Sequence, residues 1–573
     1  MTVFAAFDLP AQPPGRELRV RGRFTTPPLR VLTAAAAGDV PAVVAAAEQA
    51  ALAGHWVVGG LSYSAAGAWD NAQQAIAEPP AAYFEVYAAV EDWPAEAPGV
   101  PALDWRPEPA LAGGASPEAA IDIVAEHIRA GDCYQVNLTS RWRAVRPVGF
   151  EPYAYFAALA AAQPGGYAVY CAAAGVASVS PELFFHHEAG VLVTQPMKGT
   201  SPAGTPPEDL VNSAKDRAEN LMIVDLIRND LGRVCEPGTV RVERLFELHR
   251  LPTVWQLTST VTGRPRPGAG LAEVFAALFP CGSVTGAPKL AAMGLIAGLE
   301  AGARGWYCGA FGVIRPGGAA TFNVPIRTVT FGDRLTCGIG SGIVADSDPA
   351  AELAEWGAKA LFLGGVPLRA LETMLAVDGR IARLESHLSR LVAGCADLGL
   401  AIDLDKVRSV VAAAGPASGR HRLRLLAGDG VPEVTVAVAP PEGAAVILEL
   451  AAEPLDVVGL APVIRNKTTH RAHYQRLRDL AGPGVFDVIC HARGELTECC
   501  LGNLAVQLDG QWFTPPESAG LLPGTLRAEL LAGGRIRERR LPIGDLDRAE
   551  GLAFLNSVRG WCPARLALDK VRP

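Results

Sequence analysis

Gly364-Gly365-Val366-Pro367 divides this chain. Before it, a helical stretch opens with Asp348-Pro349 and runs through Leu363. After it, residues 371–377 and 380–384 flank Asp378-Gly379, a pair suited to the positive φ angles of a two-residue hairpin. A helix should follow, with Leu388, Leu391 and Val392 on one side. A hairpin and helix opening directly after a completed helix read as the start of a second cored unit. The length of 573 residues calls for at least two such units. The expected division is 1–365 and 368–573.

Upstream, residues 94–118 are rich in Pro, Ala and Gly and read as a loop or linker. Ser116 can then cap a helix, with Pro117 in its first turn, Ile121, Val124, Ala125 and Ile128 on one face, and Gly131 as its stop. Tyr134, Val136 and Leu138 alternate as a strand.

Half the residues are apolar and 19% are charged, a balance for packed domains rather than disorder. A net charge of -8 gives no broad basic field for nucleic acid or anionic lipid. The first ten residues lack a basic segment and carry Asp8, unlike a secretory signal. Asp39, Pro41 and Glu48 interrupt one Ala-rich stretch and Gln163-Pro164-Gly165-Gly166 another, before the roughly 20 residues of a membrane span. Eleven scattered cysteines, with Cys499-Cys500 the one adjacent pair, read as reduced thiols of a cytoplasmic protein.

Candidate chemistry begins with carboxylates. Asp216 and Glu219 lie three apart near the start of a helix expected over 216–233, and Glu352 and Glu355 repeat the spacing on the helix begun by Asp348-Pro349. Two helices presenting oxygen ligands in this way can hold Mg²⁺, and equally can be two solvated faces. Lys198, in Gln195-Pro196-Met197-Lys198-Gly199-Thr200, follows Glu182 by sixteen positions. At a strand end it can be a nucleophile of lowered pKa beside a proton-moving carboxylate, or a snorkelling surface lysine. Gly338-Ile339-Gly340-Ser341-Gly342 can bring backbone N–H groups onto a carboxylate.

Read in order, these fragments resemble the chorismate-utilising enzymes over about 115–365. The matching strings are Ala130-Gly131-Asp132-Cys133-Tyr134-Gln135-Val136-Asn137-Leu138, Ser180-Pro181-Glu182, Ala218-Glu219-Asn220-Leu221-Met222, Arg228-Asn229-Asp230-Leu231, Gly282-Ser283-Val284-Thr285-Gly286-Ala287-Pro288-Lys289 and Val344-Ala345-Asp346-Ser347. The resemblance implies a large two-sheet α/β (α+β) sandwich with flanking helices. It also implies an aminodeoxychorismate synthase type of chemistry, because anthranilate and salicylate synthases carry alanine where Lys198 stands. By that resemblance Glu219 and Glu355 ligate Mg²⁺ and Asp216 and Glu352 support it through water. Lys198 adds to the ring and Glu182 protonates the leaving oxygen. Gly199, Thr200, Tyr307, Arg327 and the Gly340, Ser341 and Gly342 backbone hold substrate. Gln256 replaces a common histidine, and Asp216 is one methylene shorter than the usual glutamate. No glutaminase motif is found, so the resemblance implies a separate glutamine amidotransferase as the ammonia source, with free ammonia as the fallback.

In the second half, Lys467 lies in Arg465-Asn466-Lys467-Thr468-Thr469-His470-Arg471 and Glu498 in Gly494-Glu495-Leu496-Thr497-Glu498. Alone, each reads as an ordinary surface charge. An enzyme using pyridoxal 5'-phosphate (PLP) needs such parts: a Schiff-base lysine, a carboxylate at the pyridine nitrogen and donors for the phosphate, here Leu522-Pro523-Gly524-Thr525. With Leu384-Glu385-Ser386-His387-Leu388-Ser389-Arg390-Leu391, Asn503 and Asn556-Ser557-Val558-Arg559-Gly560, the order resembles the fold-type IV PLP enzymes over about 371–568. The resemblance implies a two-subdomain fold and a homodimer through this domain. It gives Lys467 the cofactor, Glu498 the pyridine nitrogen, and Arg390 and Thr525 the phosphate. Cys499-Cys500 replaces the small or hydroxyl residues common after the glutamate. The fusion favours an aminodeoxychorismate lyase releasing 4-aminobenzoate. The alternatives are an anthranilate synthase component joined to a branched-chain or D-amino acid aminotransferase, or one half serving as a silent interaction domain.

Overall fold

The computed structural model describes residues 2–567 apart from 14, 16–17, 94–102, 109, 203–205, 251–253, 365–367, 429–430 and 459. Gly365, Val366 and Pro367 of the expected boundary, and 94–102 and 109 of the expected linker, lie outside the described residues. The chain forms two compact units, one comprising Met1–Ser201 and Pro206–Val366, the other Pro202–Thr205 and Pro367–Pro573.

In the first unit two large sheets face each other. One runs in the order Gly286–Ala287, Gln135–Val145, Arg334–Ile343, Thr328–Phe331, Val176–Ser180, Tyr167–Cys171, Ala5–Pro10 and Arg19–Phe24. The other carries Met197–Pro202 and Val254–Gly263 at one end and Trp56–Leu61 and Ala82–Tyr87 towards the opposite end. Phe7, Leu9, Phe24 and Val169 of the first sheet pack against Val58, Tyr87, Phe311 and Val313 of the second. Phe24 stacks on Tyr87 with centroids 4.1 Å apart. Helices Pro117–Ala130, Pro152–Ala162 and Pro349–Ala360 cover the outer face of the first sheet, and Val40–Leu52, Ala214–Gly232 and Leu271–Leu278 that of the second.

Coverage on both faces leaves several strands without alternation: Tyr167–Cys171 and Val176–Ser180 are buried at every position. The expected alternation at 134–138 fails for the same reason. Tyr134 precedes the strand and is 70% exposed, whereas Gln135 and Asn137 are buried together with Val136 and Leu138. The expected helix after Ser116 forms as Pro117–Ala130, with the Ser116 hydroxyl accepting from Ala119 N and Gly131 at φ 88° closing it. The helix bearing Asp216 and Glu219 spans Ala214–Gly232, capped by Ser213.

The glycine-rich stretch is a strand, not a loop. Arg334–Ile343 pairs along its whole length with Gln135–Val145, aligning Gly340 with Thr139 and Gly342 with Asn137. On its other edge it pairs with Thr328–Phe331 through Leu335–Cys337. A Cβ on Gly340 would lie 2.1 Å from the Leu138 carbonyl oxygen, so glycine lets the strands close there.

In the second unit Arg380–Ile381, Ala370–Val377, Arg420–Ala427 and Glu433–Val438 form an antiparallel sheet. An eight-stranded sheet includes Val446–Leu450 parallel to both Asp487–Ala492 and Gly560–Leu566. Asp378 and Gly379 turn the hairpin at φ 46° and 78°. Its second arm is shorter than expected because Arg383, at φ 55°, leaves the strand and starts helix Leu384–Leu398. On that helix Leu388 and Leu391 are buried, but Val392 is 37% exposed; His387 and Cys395 share the buried face instead. Among the described residues no helix is long and apolar enough to cross a membrane.

Gly340→Ala should therefore force the paired strands apart and destabilise the first unit by about 1–3 kcal/mol. Calorimetry that lowers the first unit's transition and spares the second unit's would agree with this register; an unmoved first transition would contradict it.

Candidate active sites

Strand Met197–Pro202 carries Lys198 to the wall of a cavity of about 330 Å³. Glu182 reaches it from just after Val176–Ser180, and Glu219 and Asp216 from the first turns of Ala214–Gly232. Glu352 and Glu355 come from Pro349–Ala360, Arg327 and Tyr307 from loops, and Gly340, Ser341 and Gly342 from their strand. Gly199 and Thr200 also line it. Every residue expected at this site is thus brought to one cavity.

Burial lowers the proton affinity of the Lys198 amine, opposed by Glu182 and Glu219. Burial also pushes the Glu182 carboxyl up to about 7, against the Ser283 hydroxyl, which donates to Glu182 Oε1 at 2.6 Å, and against Lys198. The two opposite shifts bring an amine and a carboxyl towards the same proton affinity. Arg327 is held down to about 10 by burial. It donates to neutral Gln163, and among the described residues no carboxylate charge acts on it, as suits a receptor for an anion. Lys359 Nζ donates to the Gly340 carbonyl at 2.9 Å, so that residue's polar groups face away from the neighbouring strand.

The four acids face one another but are not a ready metal cage; among the described residues no three His, Cys, Asp or Glu side chains are arranged to grip an ion. Glu355 would be raised by burial but is held below its usual range by Lys359, 2.7 Å away. Glu352 accepts from the Ser341 and Ser347 hydroxyls. Glu219 is raised by burial and further by Asp216 and Glu352, against Lys198 and Lys215. That repulsion between oxygens is what a hard divalent cation relieves, so the donor set fits Mg²⁺ once Lys359 releases Glu355. Gln256 donates to the Thr200 hydroxyl at 2.6 Å.

In the second unit Lys467 sits between helices Ala461–Arg465 and Ala472–Asp479, and its carbonyl accepts from Leu371 N at 2.8 Å. Burial lowers its amine to about 7. Glu498, on strand Glu495–Cys499, is raised to about 7 by burial while accepting from Tyr474 Oη at 2.5 Å and Leu522 N at 3.2 Å. Arg390 donates to the Pro523 carbonyl at 2.9 Å. Thr525 opens helix Thr525–Ala532, whose preceding Gly524 offers no side-chain cap. Glu498, Arg390 and Thr525 thus converge on residues 520–525, where free N–H groups at a helix start suit a phosphate. Lys467 feels the charges of Glu372 and Arg390. These parts fit PLP. Cys499 and Cys500 are buried free thiols; Cys500 Sγ lies 3.7 Å from Cys490 Sγ, and Arg471 donates to the Cys500 carbonyl at 2.6 Å.

Several members escaped sequence reading. Ser283 and His387 lay inside quoted motifs without a role, while Lys359, Tyr474 and Glu372 had none. Glu372, an acid among apolar strand residues, was the one with a visible signal.

The chorismate binding enzyme family matches residues 116–364, and the amino-transferase class IV family residues 369–567. The chain is 43% identical over 249 residues to an aminodeoxychorismate synthase component 1 of Klebsiella aerogenes, covering 40% of this chain and 53% of that one. It is 42% identical over 241 residues to an anthranilate synthase component 1 of Streptomyces coelicolor, covering 40% and 47%. It spans about half the length of these curated relatives. The anthranilate synthase component I structure from Streptococcus pneumoniae shares the fold at a TM-score of 0.50 and 23% identity, over 64% of this chain and 91% of that one. One chain thus carries a chorismate binding enzyme domain followed by a class IV aminotransferase domain.

Proposed function

We propose that this chain makes 4-aminobenzoate from chorismate in two steps, the first unit aminating the ring and the second eliminating pyruvate. The observation that carries the reading is the buried Lys198 amine facing Glu182 in a cavity ringed by Asp216, Glu219, Glu352 and Glu355. In the first step Lys198 Nζ adds at C2, the ring double bonds shift, and the C4 oxygen leaves as water with a proton from Glu182. Ammonia then adds at C4 and the C2–N bond breaks, returning the lysine. Net, chorismate and ammonia give aminodeoxychorismate and water. Burial moves the proton affinities of Glu182 and Lys198 towards each other, which lowers the cost of passing a proton between them. Arg327, Tyr307 and the Gly340–Gly342 backbone hold substrate carboxylate. Glu219 and Glu355, with Asp216 and Glu352 behind them, would hold Mg²⁺, which would supply positive charge for the substrate's ring carboxylate. Ammonia comes from a separate glutamine amidotransferase.

In the second unit PLP, when bound, would supply an electron sink for chemistry at C4. Lys467, with its amine near neutrality, removes the C4 proton. Glu498 would pair with the cofactor's pyridine nitrogen, and Arg390 with Thr525 would hold its phosphate. The Streptomyces coelicolor relative favours a second reading, amination at C2 to anthranilate. Lys198, which occupies C2, argues for C4. Product analysis with chorismate, Mg²⁺, PLP and ammonium decides: 4-aminobenzoate is expected, and anthranilate as the sole product would reject the reading.

Lys198→Ala should cut aminodeoxychorismate formation by roughly 100-fold or more while supplied aminodeoxychorismate is still converted. Undiminished 4-aminobenzoate from chorismate would remove the lysine from the chemistry. Glu219→Gln should raise the Mg²⁺ concentration for half-maximal synthase activity roughly tenfold or more, and an unchanged titration would rule out that ligand. Lys467→Ala should let aminodeoxychorismate accumulate. In the unaltered chain, borohydride reduction and peptide mapping should find a pyridoxyl adduct on Lys467; finding it on another lysine would refute the assignment.

A further inference from the structure

Strand Ala370–Val377 buries a carboxylate, Glu372, 1% exposed, that the proposed reaction does not use. Its oxygens are fully engaged. Oε1 accepts from Arg390 Nε at 2.8 Å; Oε2 accepts from Arg390 Nη2 at 2.7 Å and from His387 Nδ1 at 2.6 Å. Burial alone would raise this carboxyl, but Arg390 and His387 hold it at about 2, so it is an anion at any working pH.

That anion fixes a chain of consequences. Nδ1 of His387 faces a carboxylate and carries the ring proton. Burial lowers the imidazole's proton affinity, against Glu372, which favours the neutral ring with a lone pair on Nε2. Two hydroxyls compete for it, Ser557 Oγ at 2.7 Å and Thr525 Oγ1 at 3.3 Å. The shorter bond wins, and Arg383 Nε, donating to Ser557 Oγ at 3.1 Å, holds that hydroxyl in place. The Thr525 hydrogen is left free. Meanwhile the third bond of Arg390, to the Pro523 carbonyl at 2.9 Å, fixes the guanidinium against the loop that leads into helix Thr525–Ala532. The strand also reaches the lysine: Leu371 N donates to Lys467 O, and Glu372 is the main charge opposing the effect of burial on Lys467.

We propose that Glu372 is a positioning residue for the cofactor phosphate, fixing Arg390 at the 520–525 loop and, through His387 and Ser557, freeing the Thr525 hydroxyl to donate to that phosphate. The inference rests on the reading that this unit binds PLP at Lys467.

The test uses the full chain stripped of cofactor. Glu372→Gln should weaken PLP binding, followed by titration, by roughly tenfold or more. Without PLP, acylation of Lys467 by an amine reagent, read by peptide mapping, should have its midpoint at about pH 7 in the unaltered chain. In Glu372→Gln the midpoint should fall, because an anion is lost and the Arg390 charge is no longer neutralised; Glu372→Asp should move it back. The midpoint reads the charge of Glu372 at Lys467, and the PLP titration reads the placement of the phosphate contacts. Ser557→Ala strands no buried charge and turns the Thr525 hydroxyl onto His387. It should weaken PLP binding by itself yet add nothing to Thr525→Ala, and this cycle decides alone if Glu372→Gln does not fold. Additive losses at Ser557 and Thr525, or unchanged affinity and midpoint in Glu372→Gln, would overturn the inference while leaving PLP on Lys467 intact. An unaltered chain that takes no PLP on Lys467 would overturn the functional reading and this inference together.

Discussion

The first site depends on one buried ion pair. Arg304 donates to both oxygens of Glu300 at 2.6 and 2.9 Å, and also to the carbonyls of Asn137 at 2.7 Å and Val284 at 2.8 Å. Glu300 Oε1 in turn accepts from Thr139 N at 3.0 Å. The guanidinium lies over the rings of Tyr63 and Tyr307, 4.8 and 5.9 Å from their centroids. One cation therefore joins the strand that carries Asn137, the turn that presents Ser283 to Glu182, and the loop that carries Tyr307. Removing either partner would leave an uncompensated buried charge at a cost of about 3–5 kcal/mol. Its saturated hydrogen bonding is what makes the pair tolerable inside the protein.

Both units use burial to the same chemical end. In the first, an amine is lowered and a carboxyl raised in a shared cavity. In the second, Lys467 and Glu498 are both brought to about 7 by loss of solvent. Neither lysine has a covalent or sequence-local reason for its shift. Each is placed by a strand or a short inter-helix segment into surroundings where the charged form loses water, and nearby ions set how far the shift goes. The acids of the first site show the other side of this balance, since Lys359 holds Glu355 ionised while Glu219 faces its own kind.

Sequence alone determined the division into two cored units, the helix between Ser116 and Gly131, the Asp378-Gly379 hairpin and the helical pairing of Asp216 with Glu219. Each of these depends on backbone preference or on a spacing of a few residues. The residues that line the first cavity were expected from the motifs, from helical spacing and from the family resemblance taken together. What tertiary structure decided was long-range. The glycines of 338–342 became a strand because Gly340 lets the Leu138 carbonyl approach, a neighbour about two hundred residues away in sequence. Val392 faces solvent because packing, not spacing, selected the face containing His387 and Cys395. Arg304 and Lys359 read as ordinary charges until the fold buried the first against Glu300 and set the second beside Glu355. A charge's role depends on what surrounds it in space, and no local pattern in the chain records that.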